Sequence, residues 1–251
     1  MKTANVIVIG GGIAGASAAA EIAAAGTRVL LLEMESQPGY HATGRSAAMY
    51  EPSDGAPIVR ALTRASHSFL SQPPEGFTEV PLMAPRGVLM LAYDGDAALV
   101  EEAKRNGYVE VDRTFALSKL PLAKLDGARD ILWDGTAQDI DVDALHAGRL
   151  RALRRAKGQV IVDAPVRSGR RVGGTWRLEA GGEQYEAPTV VLAAGAWSDQ
   201  VAAACGVAPI GLQPKRRSAA IIAGPPGIAV NDWPEILPID ISFYCKPMGA
   251  S

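Results

Sequence analysis

Six consecutive residues, Gly10-Gly11-Gly12-Ile13-Ala14-Gly15, and one acid, Glu33, have the types and spacing to hold a dinucleotide. The glycines follow a short apolar, β-branched run from Asn5 to Ile9 and open a small-residue helical pattern that reaches Ala25 and stops at Gly26. A second apolar run, Val29 to Leu32, ends at Glu33, eighteen residues after Gly15. Gly10 permits the tight turn out of the first strand, Gly12 lets the backbone approach a pyrophosphate, and Gly15 lets the helix lie close on the sheet. The helix start, with Ala14 in its first turn, aims N–H groups and a positive dipole end at the diphosphate. Glu33, with Met34 beside it, falls where a carboxylate accepts both hydroxyls of an adenosine ribose.

An acid at that position favours an unphosphorylated ribose, hence FAD or NAD over NADP. Gly-x-Gly-x-x-Gly alone also occurs in turns that bind nothing, but here the strand, helix, second strand and acid all stand in register. Replacing Glu33 with alanine is expected to weaken dinucleotide binding without unfolding the chain, because its expected partner is the ribose.

With 251 residues the chain can form one large or two modest domains. Hydrophobic content of 48%, a net charge of −2 and a pI near 6.0 describe an ordinary soluble protein with no field to attract nucleic acid or an anionic membrane. Cys205 and Cys245 fit no metal-ligand spacing and read as reduced thiols in a cytoplasmic protein. No stretch is long and apolar enough for a membrane span. The acidic run Asp139 to Asp143 lacks the glycine and terminal glutamate of a calcium loop, and no metal is expected. Asp141 or Asp143 instead caps a helix that runs through His146 to Lys157.

Elsewhere the periodicity predicts helices over Ile58–Leu70, Ala97–Asn106 and Leu117–Leu125, the last with Ser118 as cap. It predicts strands at Thr78–Val80, Gly87–Tyr93, Gln159–Val162, Thr189–Leu192 and Ala220–Ile222, and a hairpin around Gly181-Gly182.

The segment after Glu33, Gln37-Pro38-Gly39-Tyr40-His41 followed by Ala42, Thr43, Gly44, Arg45, Ser46, Ala47, Ala48, Met49 and Tyr50, makes the pattern specific. Together with the glycine turn it resembles the FAD-dependent D-amino-acid oxidase and dehydrogenase superfamily, most of all its D-arginine dehydrogenase-like members. The resemblance implies an α/β fold: a Rossmann-like FAD-binding domain, discontinuous over 1–76 and 139–212, with an interleaved antiparallel-sheet substrate domain over 77–138 and 213–251. It implies that Ala42 to Met49 wrap the flavin and that Val166 grips the adenine through its backbone. The buried-strand ending at Ala193, with Ala194, Gly195 and Trp197, is similar to the second flavoprotein fingerprint, which favours FAD over NAD. By the same resemblance Arg217 lies near the flavin face and Tyr244 hydrogen-bonds a substrate carboxylate, while Met49, Asp54, Val88 and Tyr244 line the substrate pocket.

The implied activity is oxidation of a small amine or D-amino acid to an imine, then a 2-oxo acid and ammonia, with oxygen or a quinone as electron acceptor. Family members continue beyond the position of Ser251, so the fold is expected to be incomplete at its C-terminus. That leaves two readings open: an active FAD oxidoreductase, and an inactive FAD- or ADP-binding fragment that joins a homo-oligomer or a completing chain. In D-arginine dehydrogenase-like proteins an acid meets the guanidinium where this chain has Val88, which predicts a neutral, apolar or small amine substrate, with Asp54 leaving a cationic alternative open.

Overall fold

A computed structural model describes residues 1–248, and the chain divides into two compact units of discontinuous sequence. Unit 1 comprises Met1–Ser46, Pro74–Val80 and Val142–Ser218; unit 2 comprises Ala47–Pro73, Pro81–Asp141 and the chain from Ala219 onward. Ala47–Pro73, expected with the nucleotide domain, thus clusters in unit 2.

Unit 1 is built on four parallel strands in the order Gln159–Ile161, Val29–Leu32, Val6–Ile9, Thr189–Leu192. Alternation along each strand divides the side chains between two faces. Ile7, Ile9, Leu30 and Leu32 enter one core with Leu178, Ala180 and Tyr185, whereas Val8, Val29 and Leu31 meet Ala19, Ala20, Ala23 and Leu153. Burial on both faces is why the two central strands, Val6–Ile9 and Val29–Leu32, read as unbroken apolar runs. The second face is covered by the helices Ile13–Ala24 and Val142–Arg155, and the alanines of the former let it approach the sheet closely. A second sheet supplies the other cover: Val166–Val172, Thr175–Ala180 and Glu183–Ala187 run antiparallel, with Lys2–Thr3 added in parallel at the edge.

Unit 2 centres on Val88–Ala92, buried at every position. Its sheet runs Glu235–Pro238, Val88–Ala92, Asp130–Asp134, Val109–Glu110, antiparallel except for the first pair, which is parallel. Val88, Met90 and Leu132 pack on one face with Val100, Ala103 and Tyr108, and Leu89, Leu91 and Ile131 on the other with Ala116 and Leu120. A three-stranded sheet, Met49–Tyr50, Gln138–Ile140, Met83–Pro85, lies in the same unit.

Three expected elements differ. Thr78–Val80 is not a strand, because the Thr78 hydroxyl donates to the Val80 carbonyl and accepts from its N–H, a local turn that competes with a ladder; the strand follows at Met83–Pro85. The helix expected over Leu117–Leu125 is Arg113–Lys119, started by Asp112, whose carboxylate accepts from Phe115 N–H at 2.7 Å. Ala220–Ile222 is exposed and outside any strand, while Glu235–Pro238 is a strand because Val88–Leu91 offers it a ladder.

Candidate functional site

In unit 1 the chain leaves the Val6–Ile9 strand through Gly10, whose φ of +106° and whose Cβ position, 2.3 Å from the Ala193 carbonyl oxygen, admit only glycine. Gly15 is equally constrained, since a Cβ there would meet the Gly10 carbonyl oxygen at 1.8 Å. Gly12 stands at the N-cap of the Ile13–Ala24 helix and brings no side-chain cap of its own. Thr43 comes over instead: its hydroxyl accepts from Ile13 N–H at 2.9 Å and lies 3.1 Å from the Cβ that Gly12 lacks. Ala14 is exposed and Gly15 buried in the same first turn, whose amides precede any carbonyl four residues back.

Glu33 is only 7% exposed, and both its oxygens are engaged: Oε2 accepts from Gly11 N–H at 2.6 Å and Oε1 from Glu35 N–H at 3.0 Å. A carboxylate has about four lone-pair sites, so capacity remains for hydroxyl donors. Glu33 therefore braces the glycine turn, a structural part that the sequence expectation, which gave it the ribose as partner, did not include. Met34 next to it is half-buried.

Ala42, Thr43, Gly44, Arg45 and Ser46 follow as a run of turns in unit 1, pinned where Gly44 N–H donates to the Gly39 carbonyl at 2.7 Å. The Arg45 guanidinium lies over the Tyr40 ring at 4.8 Å. The second small-residue segment turns at Gly195, φ +52°, into a short 3-10 helix, Gly195–Trp197, closed by Trp197 N–H to the Ala194 carbonyl at 3.0 Å. The Trp197 ring packs tilted against His41, centroids 4.5 Å apart, so the loop after Glu33 and the end of the Thr189–Leu192 strand meet. Val166 begins its strand opposite Ala180. Arg217 sits in an exposed stretch without regular structure.

Sequence reasoning passed over two side chains here. His146, on the Val142–Arg155 helix, is buried, and its Nε2 lies 2.7 Å from the Gly11 carbonyl oxygen. The same ring fills the space where Gly39 has no Cβ, at 2.8 Å, so it clamps both the glycine turn and the following loop. His41 pairs with Glu35 at 2.8 Å. The available signal for His146 was its place on the apolar face of a helix beside a parallel sheet.

Ala47, Ala48 and Met49 belong to unit 2, where Ile140 N–H donates to the Ala48 carbonyl at 3.1 Å and Met49 pairs with Asp139. Tyr244 precedes Cys245, which exchanges backbone hydrogen bonds of 2.9 Å with Ile236, and the phenol ring is exposed. Asp54 is exposed. Val88 is fully buried, and its lateral partners are Glu235 on one side and Asp134 on the other. Val88 was expected to line the substrate pocket, but with no exposed surface it is a core residue flanked by two acids and lines no pocket. Burial, reinforced by Glu235, Asp54 and Asp134 and opposed by Lys246, pushes the Glu51 carboxyl up to about 7. Burial likewise raises Glu235 to about 7, against the charges of Lys246 and Arg86. Asp139 goes the other way: burial works to raise it, but hydrogen bonds from Arg86 and Lys246 hold it below the usual carboxylate range. Lys246 donates to it at 2.6 Å and Arg86 Nε at 2.7 Å.

The unit 1 residues fit a dinucleotide on three counts: two glycines at which a Cβ would strike backbone, a helix start without its own side-chain cap, and a buried acid at the end of the adjacent strand. Solved structures share the fold. Iminodiacetate oxidase from Chelativorans sp. BNC1 superposes with a TM-score of 0.72 at 23% identity, over 94% of this chain and 66% of that one. Glycine oxidase from Geobacillus kaustophilus gives 0.71 at 21% identity over 82% and 59%. The FAD-bound L-alpha-glycerophosphate oxidase from Mycoplasma pneumoniae gives 0.72 at 17% identity over 82% and 58%. The chain therefore spans less than two-thirds of the length of the last two. Residues 5–249 match the family described as FAD dependent oxidoreductase, and this chain belongs to that family, with FAD as its cofactor.

Proposed function

We propose that the chain supports FAD-dependent oxidation of an amine or D-amino acid, as in the D-arginine dehydrogenase-like branch of the family. The observation that carries this reading is the Gly10–Gly15 turn locked onto Glu33 and Ala193. FAD held there would supply a hydride acceptor for the substrate α-carbon, the products after hydrolysis being a 2-oxo acid and ammonia. The chain's own residues bind and orient. Gly10, Gly12, Ala14 and Gly15 present backbone to the diphosphate, Glu33 and Met34 receive the ribose, and Val166 offers backbone to the adenine. Ala42 to Met49, with Ala194, Gly195 and Trp197, enclose the flavin. In this reading Tyr244 and Arg217 are each available to a substrate carboxylate, and Met49 and Asp54 to the rest of the substrate, while Val88, fully buried, takes no part.

The test is a visible spectrum of the purified chain with added FAD, followed by anaerobic addition of D-amino acids, glycine and N-methyl amino acids. Stoichiometric flavin bands that bleach with one of these amines are expected. Bound flavin that no amine bleaches would overturn amine oxidation and leave FAD binding alone.

A further inference from the structure

The three-stranded sheet of unit 2 has two faces, and the proposed reaction uses one of them. Met49 shares its face with its lateral partners Asp139 and Ala84. Tyr50, Gln138 and Pro85 are lateral partners one residue along, so side-chain alternation puts them on the opposite face. There they line a hollow of about 610 Å³, a size that suits a small molecule. The Pro57–Ser71 helix brings Arg64 and His67, one turn apart, to the same hollow, and the His67 ring packs tilted against that of Tyr50 with centroids 5.4 Å apart. Beyond Tyr50 the chain turns, with Asp54 N–H donating to the Glu51 carbonyl at 3.4 Å, and Ser53 comes against the end of the Ala97–Asn106 helix. Gly107, with φ of +117°, ends that helix, and a Cβ there would stand 3.2 Å from Ser53 Oγ.

Two features of the lining point to a ligand. Tyr50 and Ser53 are only 5% and 6% exposed, yet neither hydroxyl has a hydrogen-bond partner among the described residues. A buried hydroxyl left unpaired is costly, and such groups are ordinarily satisfied. The second feature is charge. Arg64 has no ion pair or hydrogen bond among the described residues, and no carboxylate side chain lines the hollow. Asp134 precedes Gly135 on the wall, but it is 2% exposed and its Oδ1 accepts from the Thr136 N–H at 2.8 Å and the Thr136 hydroxyl at 2.5 Å. An uncommitted guanidinium beside hydroxyl donors matches an oxyanion, to which it donates two parallel N–H bonds.

We propose that this hollow binds a small molecule through an oxyanion, a carboxylate or a phosphate, held by the Arg64 guanidinium with the Tyr50 and Ser53 hydroxyls as further donors. The site lies within unit 2, on the face opposite Met49, and does not rest on the FAD reading.

The experiment is calorimetric titration of the flavin-free full chain with sodium phosphate in one arm and sodium malonate in the other, at an ionic strength held constant with chloride. Saturable one-site binding is expected, the tighter arm identifying the group. Arg64→Gln should weaken it about tenfold or more and Ser53→Ala about fivefold, each with an unchanged circular dichroism melt, while Arg64→Lys, which keeps the charge and loses the fork, should fall between Arg64→Gln and the parent. A folded chain that binds neither anion saturably would overturn the site. So would an Arg64→Gln variant that binds as tightly as the parent, the result expected if the anion sits at the glycine turn of unit 1. If Ser53→Ala fails to fold, Arg64→Gln, at an exposed position, decides. Flavin is absent from this test, so its failure leaves the FAD reading standing, and failure of FAD uptake leaves this site standing.

Discussion

Each unit buries an acid at a strand end, and the two are treated differently. Glu33 in unit 1 has a backbone N–H on each oxygen, both supplied within its own βαβ segment. Asp134 in unit 2 has one oxygen answered by Thr136 and one unanswered, and its charged neighbours come from elements far apart in sequence. The cofactor side is therefore held by backbone geometry and short-range hydrogen bonds. The other unit is governed by charges that only the folded chain brings together, and in a low-dielectric interior those charges shift one another's proton affinity strongly.

The largest effect should come from breaking the backbone side of that contrast. Gly15→Val places a Cβ against the Gly10 carbonyl, so unit 1 is expected to lose its folded turn, at a cost of about 3 kcal/mol or more, along with FAD uptake. Flavin content and thermal melting measure it; a variant that still turns yellow would show that FAD uptake does not need the glycine turn.

Next is Asp139→Ala, which strands the Arg86 and Lys246 side chains, only 9% and 8% exposed, without their carboxylate. A loss of about 3 kcal/mol is expected in chemical denaturation, because breaking a buried pair leaves uncompensated charge. Flavin content per folded molecule is the control on unit 1.

Glu33→Ala removes two charge-assisted bonds and should cost about 2 kcal/mol, together with FAD affinity, while Glu33→Gln retains part of both. If melting is unaffected and only affinity falls, Glu33 is a ribose residue and not a brace.

The smallest effect is one of pH. Glu51 and Glu235 rise from 4.5 to about 7 on folding, so the folded chain binds protons more tightly than the unfolded one. Their contribution is fully present below about pH 4.5 and is lost as pH rises through about 7, amounting to about 2 kcal/mol after discounting for solvent access. Asp139, held low, acts oppositely and only in acid. Melting across this window should show stability falling with pH, and the Glu235→Gln variant should flatten the slope.

How much of this was legible follows from range. Gly10, Gly15 and Glu33 could be read because their roles depend on neighbours within one strand–helix–strand segment. Thr43 lay within the loop assigned to the cofactor, but its capping of Ile13 was not legible, because it spans thirty residues. His146 reaches back 135 residues to Gly11, and no periodicity encodes that. Val88 shows the same limit: judged alone it is an apolar strand residue, and only the fold makes it fully buried, with the ladders to Glu235 and Asp134 putting carboxylates beside it. The Ala220–Ile222 segment has the composition of a strand and no partner, whereas Glu235–Pro238 holds an acid and a proline and pairs in parallel with Val88–Leu91.

By itself the sequence determined the parallel βαβ core, the glycine turn and its dinucleotide chemistry, since both faces of that sheet are buried and its turns demand glycine whatever the remainder of the chain does. Only the tertiary structure decided that Glu33 is a brace, that His146 holds the turn, and that Glu235 and Asp134 flank Val88. Proton affinity and hydrogen-bond satisfaction are properties of surroundings, and strand pairing between distant segments creates those surroundings.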